Sequence, residues 1–265
     1  MPSRESDAFV LRTYPFREAD LIVSFFTRER GKLRGVARGV RRPKNKFGVA
    51  LERLARSRLY YMQKENRELV TLQRAELAGP ANLWKAKFST SIALDVIAET
   101  SDRLLPENQP QDSYFRLLQL IVEEFRRGIA DGDSGAPIPP RAHRALVYFL
   151  LWSARLGGWL PPLDRCSESN EPFTPEEQVF FAPDREGLFR KASKNPNSWP
   201  FPSAARTLAR TMLKKRVDNL DENEWQPDAA LSLQRFLLQR THAQLEARFQ
   251  GADALSALWQ DTPVG

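Results

Sequence analysis

The chain of 265 residues predicts an α+β protein in which a small β-barrel precedes a helical domain, and three observations carry that reading. Residues 8–78 contain four runs rich in Val, Leu, Phe and Tyr, separated by turn-prone or charged segments, which is the pattern of short strands. Beyond "AGPANLW" the apolar residues recur every three or four positions, the period of helices that bury one face. A 42% hydrophobic fraction with 16 Phe and 6 Trp is enough to build a core and excludes a disordered chain.

The strand runs are "AFVLRTYPF" (8–16), "DLIVSFFTRERGKLRGVARG" (20–39), "SRLYYMQ" (57–63) and "ELVTLQRAEL" (68–77). The second contains its own hairpin connection at 27–31, where Gly31 can supply a positive φ. Leu33, Val36 and Val40 continue the apolar alternation, with a slip of register between 33 and 36. Four or five strands within so short a segment predict a barrel domain over 1–80.

The remainder, 81–265, reads as a helical domain. Phe88, Ile92, Ala93, Val96 and Ile97 share one helical face, and that helix ends at Pro106. Asp112 is placed to cap a second helix with Tyr114, Leu118, Ile121, Val122 and Phe125 inward and Gly128 just past its end. "RAHRALVYFLLWSARLGG" is apolar on nearly all sides, as the central helix of a bundle would be. Residues 161–200 carry many Pro, Asn and Ser and no sustained period, which predicts an irregular insertion. Ser203 caps a helix burying Ala205, Leu208, Ala209, Met212 and Leu213; Asp228 caps another with Leu231, Leu238, Leu245 and Phe249 at helical spacing.

Charge supplies the first functional signal. Forty Lys and Arg against thirty-three Asp and Glu leave +7, and the stretch "GKLRGVARGVRRPKNKFG" (31–48) alone carries Lys32, Arg34, Arg38, Arg41, Arg42, Lys44 and Lys46 with no acid. The excess positive charge is therefore local. Alternation puts Lys32 and Arg34 on an outward strand face with Leu33 in the core, and Arg38 joins Arg41, Arg42, Lys44 and Lys46 in the following loop. So many like charges repel one another unless an anion is present, and a sugar-phosphate backbone is the anion that fits: its binding would be salt-sensitive and indifferent to sequence. Among the aromatics Tyr14, Phe16, Phe25, Phe26, Phe47, Tyr60 and Tyr61, most read as core, and Phe47 is the candidate for base stacking.

Catalytic chemistry finds no support. His143 and His242 are far apart without metal-spaced partners, Cys166 is the lone cysteine, and Glu123 and Glu124 sit on a solvated helix face. No phosphate-binding loop of the Walker type is present, and the glycines of 31–39 lack a strand-to-helix setting. The expectation is a protein that is not an enzyme and needs no metal or cofactor. A single cysteine suits a reducing cytoplasm. The N-terminus lacks a secretory pattern, and the longest apolar run, "ALVYFLLW", is far short of the about 20 residues that span a bilayer. A cytoplasmic protein with no membrane partner is expected.

The segments "FREAD", "FTRERGKLRGVARGVRRPK", "FGVALE" and "GWLPPLDRC", in this order along the chain, resemble the RecO family of bacterial recombinational-repair proteins. The resemblance implies an N-terminal OB-fold, an α-helical domain, and a mediator role. Such a mediator binds single- and double-stranded DNA, anneals complementary strands, cooperates with RecR, and takes the acidic C-terminal tail of the single-stranded-DNA-binding protein so that RecA loads on DNA. It further implies association with the nucleoid. Many family members carry a zinc-ribbon-like insertion with two CxxC pairs; here only Cys166 remains, with Ser169, Arg190 and Ser193 at the other positions. Tetrahedral zinc needs four ligands, so a degenerate, metal-free insertion is expected, held by Phe173, Phe180, Phe181 and Phe189. For the partner tail, which needs an apolar pocket rimmed by cations, the candidates are Arg141, Arg144, Arg155, Arg206 and Arg210. Two other readings stay open: an RNA- or ribosome-associated OB protein, since a basic barrel reads any phosphate backbone, and a scaffold that docks an acidic protein.

Overall fold

The computed structural model of the chain describes residues 3–42, 45–63, 68–79, 83, 86–132, 136–245 and 250–258. Five strands, β1 (Ser3–Phe16), β2 (Asp20–Thr27), β3 (Gly31–Ala37), β4 (Arg56–Met62) and β5 (Val70–Leu77), close into a barrel in the order β1-β2-β3-β5-β4. The pairs are antiparallel except β3 with β5, where Gly35, Val36 and Ala37 run parallel to Val70, Thr71 and Leu72. This is an OB-like barrel.

Strict alternation gives the barrel two apolar sides. Val10, Val23, Phe25, Leu33, Ala37, Leu59, Tyr61 and Leu72 fill its interior. Phe9, Leu11 and Phe26 leave it outward and belong to the helical core. A register shift between Val10 and Arg12 is what lets Leu11 and Arg12 both reach the helices. β3 shows no slip: Leu33 and Ala37 point in, whereas Val36 stays out of the barrel core. At its start Gly31 has φ +73°, and a Cβ there would lie 2.1 Å from the carbonyl oxygen of Gln109. Both the turn and the close approach of 105–109 require glycine.

Among the described residues six α-helices follow: α1 (Phe88–Leu104), α2 (Asp112–Ala130), α3 (Pro140–Leu156), α4 (Ser203–Lys214), α5 (Pro227–Leu245) and α6 (Gln250–Ala257). α3 is central as its composition predicts, with Leu146, Val147, Phe149, Leu150 and Leu151 fully buried among α2, α4 and α5. Phe115 of α2 meets Phe9 and Phe26 at 5.1 and 5.9 Å between ring centroids, locking the barrel to the bundle. Several details differ from the sequence reading. Asp112, Ser203 and Asp228, expected as caps, lie inside the first turns of α2, α4 and α5, the first two behind Gln111 and Pro202 with no side-chain cap. Glu124, expected on a solvated face, is 2% exposed. α2 continues to Ala130, so Gly128 lies inside it, where the missing side chain lets Ala142 of α3 approach. Phe88 begins α1 and is 79% exposed instead of sharing the buried face. Phe249 lies outside the described residues.

The segment 161–200, expected to be irregular, contains a small sheet in the order β7-β6-β8, formed by β6 (Val179–Phe181), β7 (Phe189–Arg190) and β8 (Trp199–Phe201). Three short strands give no readable period. Cys166, Phe180, Ala182 and Phe189 make its own core with Phe173 against them, while Phe181 turns to Phe201 and Phe236 of the main core.

Candidate nucleic-acid interface

The cations of 31–48 separate into three environments. Arg38, Arg41, Arg42 and Lys46 are exposed at the end of β3 and in the loop beyond it, and among the described residues no carboxylate lies within ion-pair distance of them. Arg34 is exposed but held by Glu107 at 3.1 Å. Lys32 is 5% exposed, contrary to the sequence expectation, and its ammonium donates to the carbonyl oxygen of Asp102 at 2.6 Å. It does leave the barrel outward as alternation demands, but α1 covers that part of the face. Burial pushes its ammonium below the usual lysine value, with Asp102 and Glu107 opposing. Lys44 lies outside the described residues.

Phe47 is a second correction. It is 2% exposed and belongs to the barrel core, so no base can stack on it. Asn45 explains why: its side-chain oxygen accepts from the backbone N–H groups of Phe47 and Gly48 at 2.9 and 2.8 Å, a local turn that drives Phe47 inward and leaves Lys46 over its ring at 5.8 Å.

The open aromatic surface lies instead on the outer face of β1, β2 and β3. Three cross-strand rows define it. Phe9, Phe26 and Lys32 are opposite one another under the helices; Arg12, Ser24 and Arg34 mark the boundary; Tyr14, Ile22 and Val36 form the next row in the open. Phe16 extends β1 beyond them. Tyr14 is 38% exposed, and Phe16, Ile22 and Val36 are half-buried. Arg17, in the turn after Phe16 with φ +57°, is exposed with its guanidinium 5.2 Å from the Phe16 ring. The β3 loop is bound to this turn: Arg41 N–H donates to the Ala19 carbonyl at 3.2 Å, and Gly39 N–H donates to the Asp20 carboxylate at 2.9 Å. Arg17 thus joins Arg38, Arg41, Arg42 and Lys46 beside a patch of aromatic rings and aliphatic side chains, a combination chemically suited to phosphate and base together. Residues 12, 14 and 16 alternate in sequence, but Phe9 and Tyr14 share a face five residues apart only because of the register shift at 10–12.

Carboxylates of α1 and of 105–109 close the covered end. Asp102 accepts from Ser24 at 2.5 Å and from Tyr14 at 3.0 Å, and Glu99 lies 3.8 Å from Arg12 and 2.8 Å from Arg103. Burial, and then the Asp102 charge, raise the Tyr14 phenol above its usual value.

The five arginines expected to take a partner's tail do not form one site. Arg206 is 3% exposed and donates to the carbonyl oxygens of Thr174, Pro175 and Glu177, fixing that loop. Arg141 binds Glu124 and Asp131 at 3.2 and 2.9 Å. Arg144 donates to the Leu220 carbonyl and lies over Trp225, while Arg155 and Arg210 are exposed. A cleft of about 1100 Å³ between α2, α3 and the segment leading into β4 is lined by Leu117, Leu120, Trp152 and Leu156 together with Arg126, Arg127 and Arg216, which pair with Glu123, Glu124 and Asp218 of the same lining.

The positions expected to replace zinc ligands bring no ligand set together. Arg190 donates to Ser169 Oγ, Glu171 and Glu177, each at 2.8 Å, and to the Pro172 carbonyl, so a guanidinium stands among the acceptors. One thiol, two hydroxyls and that cation do not suit Zn²⁺. Among the described residues no group of three or more His, Cys, Asp or Glu is arranged to hold a metal ion, and no helix is long and apolar enough to cross a membrane.

Residues 1–81 match the family model described as recombination protein O N terminal, and residues 86–251 match recombination protein O C terminal. The chain is 33% identical over 255 residues to a DNA repair protein RecO of Koribacter versatilis, covering 96% of this chain and 99% of the relative. A protein of the same name in Cutibacterium acnes is 34% identical over 190 residues, 71% of this chain and 73% of the relative. One in Bifidobacterium adolescentis is 32% identical over 204 residues, 75% of this chain and 76% of the relative.

Proposed function

The chain belongs to the RecO family, and from that premise we propose that it is a DNA repair and recombination mediator that carries DNA on the open end of its barrel. The observation that supports this best is the patch of Tyr14, Phe16, Ile22 and Val36 beside five exposed cations, Arg17, Arg38, Arg41, Arg42 and Lys46, that have no acidic partner among the described residues. Arg34 borders the patch, and Lys44 joins the cations on sequence grounds. Lys32 and Phe47 are omitted because both are buried.

Phosphate contacts of this kind serve single and double strands alike. Exposed rings beside them favour unpaired bases, the condition under which complementary strands can be brought together and annealed. The protein works without metal or cofactor, in the cytoplasm at the nucleoid, as a barrel domain over 1–80 joined to a helical domain over 81–265. The segment 161–200 is a ribbon of the zinc-binding type in which Arg190 supplies the cross-link. RecR cooperates, and RecA is loaded as a consequence. The acidic tail of the single-stranded-DNA-binding protein docks in the α2–α3 cleft, whose apolar floor suits the tail's apolar residues and whose arginines would exchange their own Glu123, Glu124 and Asp218 partners for its carboxylates.

Annealing of complementary oligonucleotides, naked and coated with the single-stranded-DNA-binding protein, tests this function. Acceleration of both is expected. Failure with naked strands refutes DNA annealing, and failure with coated strands alone refutes the tail contact. Preference for RNA over DNA of equal length would favour the RNA-associated reading.

A further inference from the structure

Among the rings of the open barrel face, Tyr14 is tied to the helical domain. Its hydroxyl donates to one carboxylate oxygen of Asp102 at 3.0 Å, and the other oxygen accepts from Ser24 at 2.5 Å. Asp102 stands in the last turn of α1, 6% exposed, and its backbone carbonyl takes the Lys32 ammonium at 2.6 Å. The carboxylate is thus held by β2, and its backbone carbonyl by β3, before the side chain meets β1. On the ring's other contact, the Arg12 guanidinium lies 5.5 Å from its centroid. Tyr14 is nevertheless 38% exposed, so the ring is accessible while its hydroxyl end is anchored.

A partly exposed side chain without an anchor loses rotamer freedom when a ligand orders it, and that cost is subtracted from the affinity. An anchored ring has met the cost on folding. We infer that Asp102 is a positioning residue for nucleobase stacking: a helical-domain carboxylate that holds the Tyr14 ring in place on the barrel's DNA-binding face without itself touching the strand. The inference rests on the proposal that this face binds single-stranded DNA. It gives the helical domain a part in base contact and gives the buried Ser24–Asp102–Tyr14 network a role beyond holding α1 against the barrel.

The test compares the full chain with Tyr14→Phe and Asp102→Leu on an oligo(dT) strand and on an abasic strand of equal length, each over a salt series. Tyr14→Phe keeps the ring, removes only the anchor, and changes a residue at the surface, so it folds whatever Asp102→Leu does. Both variants are expected to weaken oligo(dT) binding roughly three- to tenfold, the net worth of one hydrogen bond. The salt slope and the affinity for the abasic strand should stay as in the wild type, because the phosphate contacts are untouched. The double variant should be no weaker than either single one. Undiminished oligo(dT) binding by Tyr14→Phe overturns the inference, and so does an equal loss on abasic and oligo(dT) strands. A wild type that binds neither strand overturns it together with the DNA-binding proposal, a result distinguishable because it appears without any substitution.

Discussion

Replacing Lys32 separates a structural lysine from a phosphate contact. Its ammonium is buried beneath α1 on the Asp102 carbonyl. Lys32→Ala removes roughly three buried methylenes, about 0.8 kcal/mol each, and leaves that carbonyl without its donor, about 1–3 kcal/mol. Release of the ammonium's desolvation offsets part of the sum. A net loss of about 3 kcal/mol is expected, seen as a fall of about 6–10 °C in Tm for a protein of this size. Affinity for single-stranded DNA, measured well below that Tm, should keep its salt slope. A variant that stays as stable as the wild type while its slope flattens by about 0.7, the value of one phosphate contact, would refute the placement of Lys32 and the docking of α1 on β3.

Gly31→Ala should destabilise by at least about 3 kcal/mol in chemical denaturation, since positive φ costs about 1–2 kcal/mol and the new Cβ would meet the Gln109 carbonyl at 2.1 Å; a neutral effect would contradict the packing of 105–109 on β3. Phe47→Ala should lose about 3–5 kcal/mol of stability through a core cavity without a change in DNA affinity, whereas Tyr14→Ala should cost about 1–3 kcal/mol of oligonucleotide binding; the opposite assignment would restore Phe47 as the stacking residue. His143, buried with its Nε2 2.8 Å from Gln234 Oε1, has its pKa pushed by burial down to about 4. The unfolded chain therefore takes up the proton first as pH falls, and the stability linked to this group, complete above about 6.5, is lost towards pH 4, by about 3 kcal/mol in all. The difference in pH dependence between wild type and His143→Gln, by urea denaturation, should show that window; parallel curves would contradict a buried neutral imidazole.

Periodicity made the barrel, the helical bundle and the central place of α3 legible, because each depends on the local alternation of apolar residues. It could not show which outward residues of the barrel face water and which face helices. Lys32 and Arg34 look equivalent along β3, yet one is covered by α1 and the other exposed, a difference made by residues seventy positions away. Tyr14 was hidden for a related reason: the register shift at 10–12 rotates it onto the Phe26 side of the sheet. Phe47 looked exposed in a basic loop, and only the turn built by Asn45 returns it to the core. The arginines of the helical region look alike in sequence, because nothing local shows that a guanidinium such as Arg206 is spent on backbone carbonyls of its own chain.

The claim that the barrel rim holds DNA by its phosphates is tested most directly by the salt dependence of binding in an Arg38→Ala, Arg41→Ala, Arg42→Ala variant. These side chains are exposed and have no carboxylate partner among the described residues, so the fold should be intact. The slope of log K against log salt should flatten by about two units on single strands and by up to about three on duplex, with affinity lowered on every sequence. An unchanged slope and affinity in the folded triple variant would contradict it.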